Sequence, residues 1–258
     1  MPHGTECYAS RVTRSDSGSI IKRLQTSAER GCPLDSADFA TYGVSSDLAY
    51  FYNKSGWIKR LARGTYMLAG DTLARDACLR FLADRIPGFH VGGKTALAWQ
   101  GIRHNAPAKD TLTLCGRKNT RLPEWFSARF PSRFTVRELF SLSLPHDFGL
   151  QPLPESPDGP PVSVPERALL EMLSEVGVYQ EIEEARLIME SARSLRVDVL
   201  DTLLKACEQK KALRLCMAWA EKLSLPWAPQ ARKAAENLIG KSRWVSRVRG
   251  GRTLILNP

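Results

Sequence analysis

Two stretches of this 258-residue chain place reactive side chains at usable spacings. The first is GFHVGGKT, residues 88–95, which meets the pattern G-x-x-x-x-G-K-[ST]. In a phosphate-cradling loop the glycines let backbone N–H groups turn toward a phosphate, the lysine meets its charge and the hydroxyl holds magnesium. The second is GWIKRLARGTYMLAG, residues 56–70, where Lys59, Arg60 and Arg63 crowd a tight turn at Arg63-Gly64. A basic turn between two short β-type runs suits an acid, above all the phosphates of a duplex.

The flanking residues decide between them. A phosphate loop needs a buried strand before its first glycine and a long helix after its Lys-Thr pair. Upstream of GFHVGGKT, however, Ala77, Leu79, Phe81, Leu82 and Ile86 fall at helical spacing and Pro87 closes the run. Downstream, TALAWQG leaves about two helical turns before Gly101. No later apolar run ends in an aspartate that would hold magnesium. The stretch is expected to form a strand at His90-Val91, a Gly-Gly turn and a short helix packing Ala96, Leu97 and Trp99. A nucleotide hydrolase using Gly93, Lys94 and Thr95, or a nuclease assembled from distant carboxylates, therefore ranks last among the readings.

Other catalytic patterns are missing. The chain has no G-x-S-x-G elbow and no H-E-x-x-H pair. Its six cysteines form no C-x-x-C pair, and the four histidines do not cluster in sequence. Reduced, scattered, partly buried thiols are expected, with no catalytic residue, no metal and no cofactor. The acidic run Glu181, Glu183, Glu184 reads as a solvated helix face.

The basic turn sits in better company. Ile20, Ile21, Leu24 and Ala28 give a first helix from Ser19, stopped by Gly31 and Pro33. A second short helix, capped by Asp35 or Ser36, turns Phe39 and Ala40 inward and ends at Gly43. The third, in GVSSDLAYFYNKSGW, takes Ser45 or Ser46 as its cap and points Leu48, Phe51 and Tyr52 inward. Three short helices followed by a two-stranded ribbon is the order of a winged helix-turn-helix. Ser45, Ser46, Asp47, Tyr50, Asn53 and Lys54 of the third helix, and Lys59, Arg60, Arg63 and Thr65 of the ribbon, are the candidate DNA contacts. Lys59, Arg60 and Arg63 would meet phosphates, whereas Tyr50, Asn53 and Lys54 would reach base edges. Ile58 and Leu61 can share a ribbon face only if a bulge intervenes.

The totals agree with a polyanionic partner. Formal net charge is +10 and the pI about 9.5. No apolar run is long enough to span a membrane, and the N-terminus lacks the basic-then-apolar order of a signal peptide, so a cytoplasmic protein without membrane contact is expected. Past the ribbon, DTLTLCG (110–116) and SRFTVREL (132–139) read as strands among Arg103, Lys109, Arg117, Lys118, Arg121, Arg129, Arg133 and Arg137. That cluster is either a second acid-binding face or a solvated sheet surface. The Pro/Gly-rich LPHDFGLQPLPESPDGPPVSVP (144–165) cannot be central sheet; it should be an interdomain linker or, by preference, a long surface hairpin inside one domain. Ser163 can cap a helix through PERALLEML, and mostly helical sequence follows to residue 240, as a bundle or a partner's groove. SRWVSRVRGGRTLILNP ends the chain as a hairpin turning at Gly250-Gly251, basic through Arg243, Arg247, Arg249 and Arg252. The fold expected is α+β: a tail (1–17), a winged helix-turn-helix (18–72) and a larger mixed α/β domain with a helical C-terminal part (73–258). Arg117, Lys118, Arg121, Arg243, Arg247 and Arg249 make up a possible second basic surface.

The assembled pieces resemble the AbiEi antitoxins of type IV toxin-antitoxin systems. The likeness rests on GWIKRLARGTYML as the wing, HVGGKTALAWQG, VSVPERALLEML and the terminal GGR hairpin, in that order. The resemblance implies an N-terminal domain that binds inverted repeats in operator DNA, as a pair of monomers or a dimer, and represses its own operon. It also implies a C-terminal domain that counters a nucleotidyltransferase-like toxin, with or without direct contact. A transcriptional regulator whose C-terminal domain senses a ligand or partner is the alternative.

Overall fold

The computed structural model describes residues 14–104, 111–136, 138–238, 244–247 and 253–256. Contacts divide the chain into two units, Met1–Cys78 and Leu79–Pro258.

The first unit opens with α1 (Arg14–Ser27), which starts inside the stretch expected to be tail; residues 1–13 lie outside the described residues. Next come β1 (Leu34–Asp35), α2 (Ser36–Thr41), α3 (Ser46–Lys54), β2 (Ile58–Ala62) and β3 (Thr65–Leu68). Asp35 caps α2 in a capping box with Asp38, each side chain accepting the other's backbone N–H. Gly43 and Gly56 follow α2 and α3 in the left-handed region that terminates helices. One apolar core joins the three helices to the ribbon: Leu24, Phe39, Leu48, Tyr52, Ile58 and Leu68 are buried together. β2 and β3 pair antiparallel, with a register shift between Arg60 and Ala62. This is the bulge that the Ile58/Leu61 spacing demands. β1 adds a third strand beside β3 that the sequence does not reveal, pairing Leu34 with Tyr66 and Asp35 with Thr65. Ala40, expected to face inward, is exposed, and α2 buries only Phe39.

α4 (Arg75–Ala83) carries the boundary between the units. The second unit is built on a five-stranded sheet in the order β6-β5-β4-β8-β7. Along the chain run β4 (His90–Val91), α5 (Gly93–Trp99), β5 (Leu112–Gly116), α6 (Glu124–Arg129), β6 (Ser132–Val136), β7 (Leu150–Gln151) and β8 (Val162–Ser163). β5 and β6 run parallel, with α6 as the crossover, and β4 pairs parallel with β8. Residues 144–165 do form a hairpin, since β7 and β8 are antiparallel. Contrary to expectation, though, β8 lies inside the sheet between β4 and β7. Pro161 causes no gap: its carbonyl accepts the Val91 N–H, and the ladder takes only two residues beyond it.

Helices α7 (Pro165–Glu175), α8 (Ile182–Ser191), α9 (Val197–Ala206), α10 (Lys210–Lys222) and α11 (Ala228–Leu238) follow. Val164, not Ser163, precedes α7, and Pro165 takes the first helical position. α7 packs against α5, α9 and α10 and is buried all round. A helix so placed must pair its charges. Glu166 takes a forked contact from Arg196 at 2.9 and 3.2 Å, together with the Arg196 backbone N–H. Glu175 takes Arg133 and Thr135. The hairpin of β9 (Trp244–Arg247) and β10 (Thr253–Leu256) closes the chain; its turn lies outside the described residues. Among the described residues no helix is long and apolar enough to cross a membrane.

The α+β architecture with an N-terminal winged helix-turn-helix is therefore the one expected from the sequence.

Candidate nucleic-acid interface

α3 is short, nine residues, and depends on its cap and its buried side. The Ser45 hydroxyl accepts the Leu48 N–H at 3.2 Å, and Asp47 adds negative charge at the positive end of the helix. Leu48, Ala49 and Tyr52 face the core. The opposite side is open to solvent: Ser45, Ser46, Asp47, Tyr50 and Lys54 are exposed and Asn53 is half-buried. The Lys54 ammonium lies 5.7 Å from the centre of the Tyr50 ring. Phe51 does not turn inward as expected; it is 55% exposed. Ala49 takes the inward place, because the core is reached by the 48-49-52 stripe.

α3 packs against β2, and the Trp57 N–H donates to the Tyr52 carbonyl, so the ribbon leaves directly from the helix end. Gly64 at the turn has φ +72°, a conformation that few side chains tolerate. Lys59, Arg60 and Arg63 are exposed and Thr65 half-buried. The Arg60 Nε donates across the bulge to the Ala62 carbonyl at 3.2 Å, which fixes the base of its guanidinium against the strand. One unit thus holds an open polar helix face beside a ribbon with three exposed cations. Phe51 and Trp57, exposed at 55% and 45%, are additional surface residues the sequence reading missed. Periodicity over nine residues leaves the edge of a helix face undefined.

The second unit holds a different constellation. The Glu171 carboxylate of α7 accepts from Gly93 N at 2.9 Å, Arg167 Nε at 2.9 Å, Ser163 Oγ at 2.9 and 3.0 Å, and His90 Nε2 at 3.0 Å. Burial by itself would raise its pKa, but His90, Arg167 and the Gly93 N–H outweigh that and bring it down to about 2. The phosphate-loop pattern is thereby filled from within. The N–H at the start of α5, where a phosphate would bind, donates to this carboxylate. Lys94 reaches Glu184 at 2.9 Å instead. Glu184 is thus half-buried and paired, whereas Glu181 and Glu183 are exposed as expected of that acidic run. The expected strand and short helix are β4 and α5.

A cavity of about 280 Å³ opens beside the cluster, lined in part by His90, Thr113, Cys115, Phe140, Arg167 and Glu171. The ligating atoms of His90, Cys115 and Glu171 lie within 4.8 Å of one another. A metal there would have to displace the His90–Glu171 hydrogen bond and ionise a thiol whose pKa is raised by burial and by the nearby Glu171 and Glu175. Burial also pushes the Cys78 thiol up to about 12 and Cys207 to about 11, and none of the five described cysteines is in a disulfide.

Comparison with known families matches both units. Residues 17–107 fit the model described as transcriptional regulator, AbiEi antitoxin N-terminal domain. Residues 109–254 fit that of transcriptional regulator, AbiEi antitoxin, type IV TA system. The chain belongs to the AbiEi antitoxin family. Membership in a family of transcriptional regulators implies DNA binding. No match was found among curated proteins. Among solved structures, the crystal structure of the RV2827C protein from Mycobacterium tuberculosis shares the fold, with a TM-score of 0.58 at 14% identity over 91% of this chain and 85% of that one.

In this AbiEi-family chain the second basic surface is only partly described. Arg117, Lys118 and Arg121 are exposed after β5, and Arg103 is exposed too. Arg133 is engaged instead, paired with Glu175 and lying 4.6 Å from the Tyr179 ring centre. Arg247 is on β9, while Lys109, Arg137, Arg243, Arg249 and Arg252 lie outside the described residues.

Proposed function

We propose that the chain is a DNA-binding antitoxin that represses its own operon, with the first unit as the reader. The outward face of α3 beside the basic ribbon carries this reading. Lys59, Arg60 and Arg63 neutralise phosphates along the duplex, and Tyr50, Asn53 and Lys54 enter the major groove. Two copies, as a pair of monomers or a dimer, occupy the halves of an inverted repeat. The second unit counters a nucleotidyltransferase-like toxin, and the protein acts in the cytoplasm without catalysing a reaction of its own. Its test is a mobility-shift titration of the full chain on the inverted repeats upstream of its gene. A shift that weakens steeply with salt is expected; folded protein that retards no duplex at low salt ends the reading.

The cavity beside Glu171 favours a second reading, a regulator whose second unit senses a small molecule. The neighbouring gene separates the two: a co-transcribed nucleotidyltransferase-like gene supports the antitoxin, and its absence the sensor.

A further inference from the structure

Among the described residues of the first unit, every exposed large hydrophobic side chain falls between positions 50 and 57: Tyr50 at 63%, Phe51 at 55% and Trp57 at 45%. Apolar surface gathered in one short segment marks a place where something binds. The surroundings favour a duplex over a protein. Lys54 lies three positions along the helix from Phe51, and the exposed Lys59, Arg60 and Arg63 follow on the ribbon. Protein interfaces are depleted in lysine at their centres, whereas phosphate-facing surfaces are rich in it.

Phe51 has no hydrogen-bonding atom on its side chain, so it cannot read the donors and acceptors of a base edge. On the major-groove edge the large apolar group is the C5-methyl of thymine, where cytosine has only a C–H. Resting on the DNA-binding reading above, we infer that Phe51 is a specificity-determining residue that packs on a thymine methyl, while its neighbour Tyr50 keeps a hydroxyl for polar edges. The Phe51 ring already leans on that of Tyr52, with centroids 6.2 Å apart, and Tyr52 is anchored in the core. Tyr52 thus gives the base of the Phe51 ring a core-anchored neighbour.

The experiment uses the full chain and a duplex enriched by it from a random-sequence pool. The duplex is resynthesised with deoxyuridine for each thymine in turn, which removes only the methyl. At one position per half-site the wild-type chain should bind about fourfold more weakly, as expected for one buried methyl. The Phe51→Ala chain should bind the thymine duplex more weakly and be indifferent to deoxyuridine there, while circular dichroism shows the fold retained because the residue is more than half exposed. If no duplex is enriched or retained at low salt, the DNA reading itself fails. If duplexes are retained but no deoxyuridine position matters, or the loss persists in Phe51→Ala, the assignment to Phe51 is overturned. It is equally overturned if Phe51→Ala turns a dimer into a monomer with its base preference intact, since a second copy then covers the ring.

Discussion

The Gly93 N–H at the start of α5 donates to the carboxylate of Glu171 at 2.9 Å, across 78 positions of sequence. The contact converts a phosphate-loop look-alike into a packing device. It also makes Glu171 the common acceptor for α5, β4, β8 and its own helix.

Acid should therefore act through this carboxylate. Its folded pKa of about 2 lies below the ordinary 4.5, so its contribution is present above pH 4.5 and is lost as pH falls toward 2. The shift corresponds to roughly 3 kcal/mol. We expect Glu171→Gln to destabilise the second unit at neutral pH, and its deficit against wild type to shrink steadily from pH 4.5 to 2. Urea titrations followed by tryptophan fluorescence would read this; a deficit independent of pH contradicts it.

The same arrangement separates the two halves of the Gly-Gly-Lys sequence. A Cβ on Gly92 would come within 2.5 Å of Glu171 Oε2 and 2.8 Å of Cys115 Sγ, and the Glu171 carboxylate is held in place by its hydrogen bonds from Gly93, Ser163, Arg167 and His90. Gly92→Ala should cost about 1–3 kcal/mol. The Lys94–Glu184 pair is about one-third exposed at each end, and Lys94→Ala should cost under about 1 kcal/mol. Thermal unfolding of the two variants gives the order. A larger loss at Lys94 would mean that its ammonium has a task beyond this ion pair.

Some of this was legible in the sequence because it is local. Gly43, Gly56 and Gly64 mark turns by their own backbone needs, and the imperfect alternation of Ile58 and Leu61 falls where the ribbon's register shifts. Other parts depend on distant partners. β1 is two residues that become a strand only beside Tyr66 and Thr65. Val162 and Ser163 are hidden by the prolines before them, yet sit mid-sheet because β4 offers them an edge. The Glu171 cluster joins positions 90, 93, 163, 167 and 171, and only the Arg167–Glu171 spacing is visible along a helix.

Ser45 and Ser46 are both exposed at the start of α3 but have different tasks. The Ser45 hydroxyl holds the Leu48 N–H, so Ser45→Ala should lower the stability of the first unit by about 1 kcal/mol. Ser46→Ala should change it by less than about 0.5 kcal/mol. Chemical denaturation of both variants settles the order, and the reverse result would move the cap by one residue.

The ribbon and the helix should also fail differently. Arg63 is exposed at the turn that follows the shifted strand register; on the proposed reading its guanidinium would meet phosphates and no base edge. Arg63→Ala should weaken binding to specific and random duplexes by similar factors and flatten the log-affinity against log-salt slope by about one. Asn53 is half-buried on α3, and an asparagine amide is the group that pairs bidentately with an adenine edge. Asn53→Ala should leave the salt slope unchanged and narrow the gap between specific and random duplexes by about 1–3 kcal/mol. Fluorescence anisotropy over a salt series measures both quantities on one duplex pair. If Arg63→Ala altered preference while Asn53→Ala altered only the slope, the ribbon would be the element in the groove and α3 would lie on the backbone.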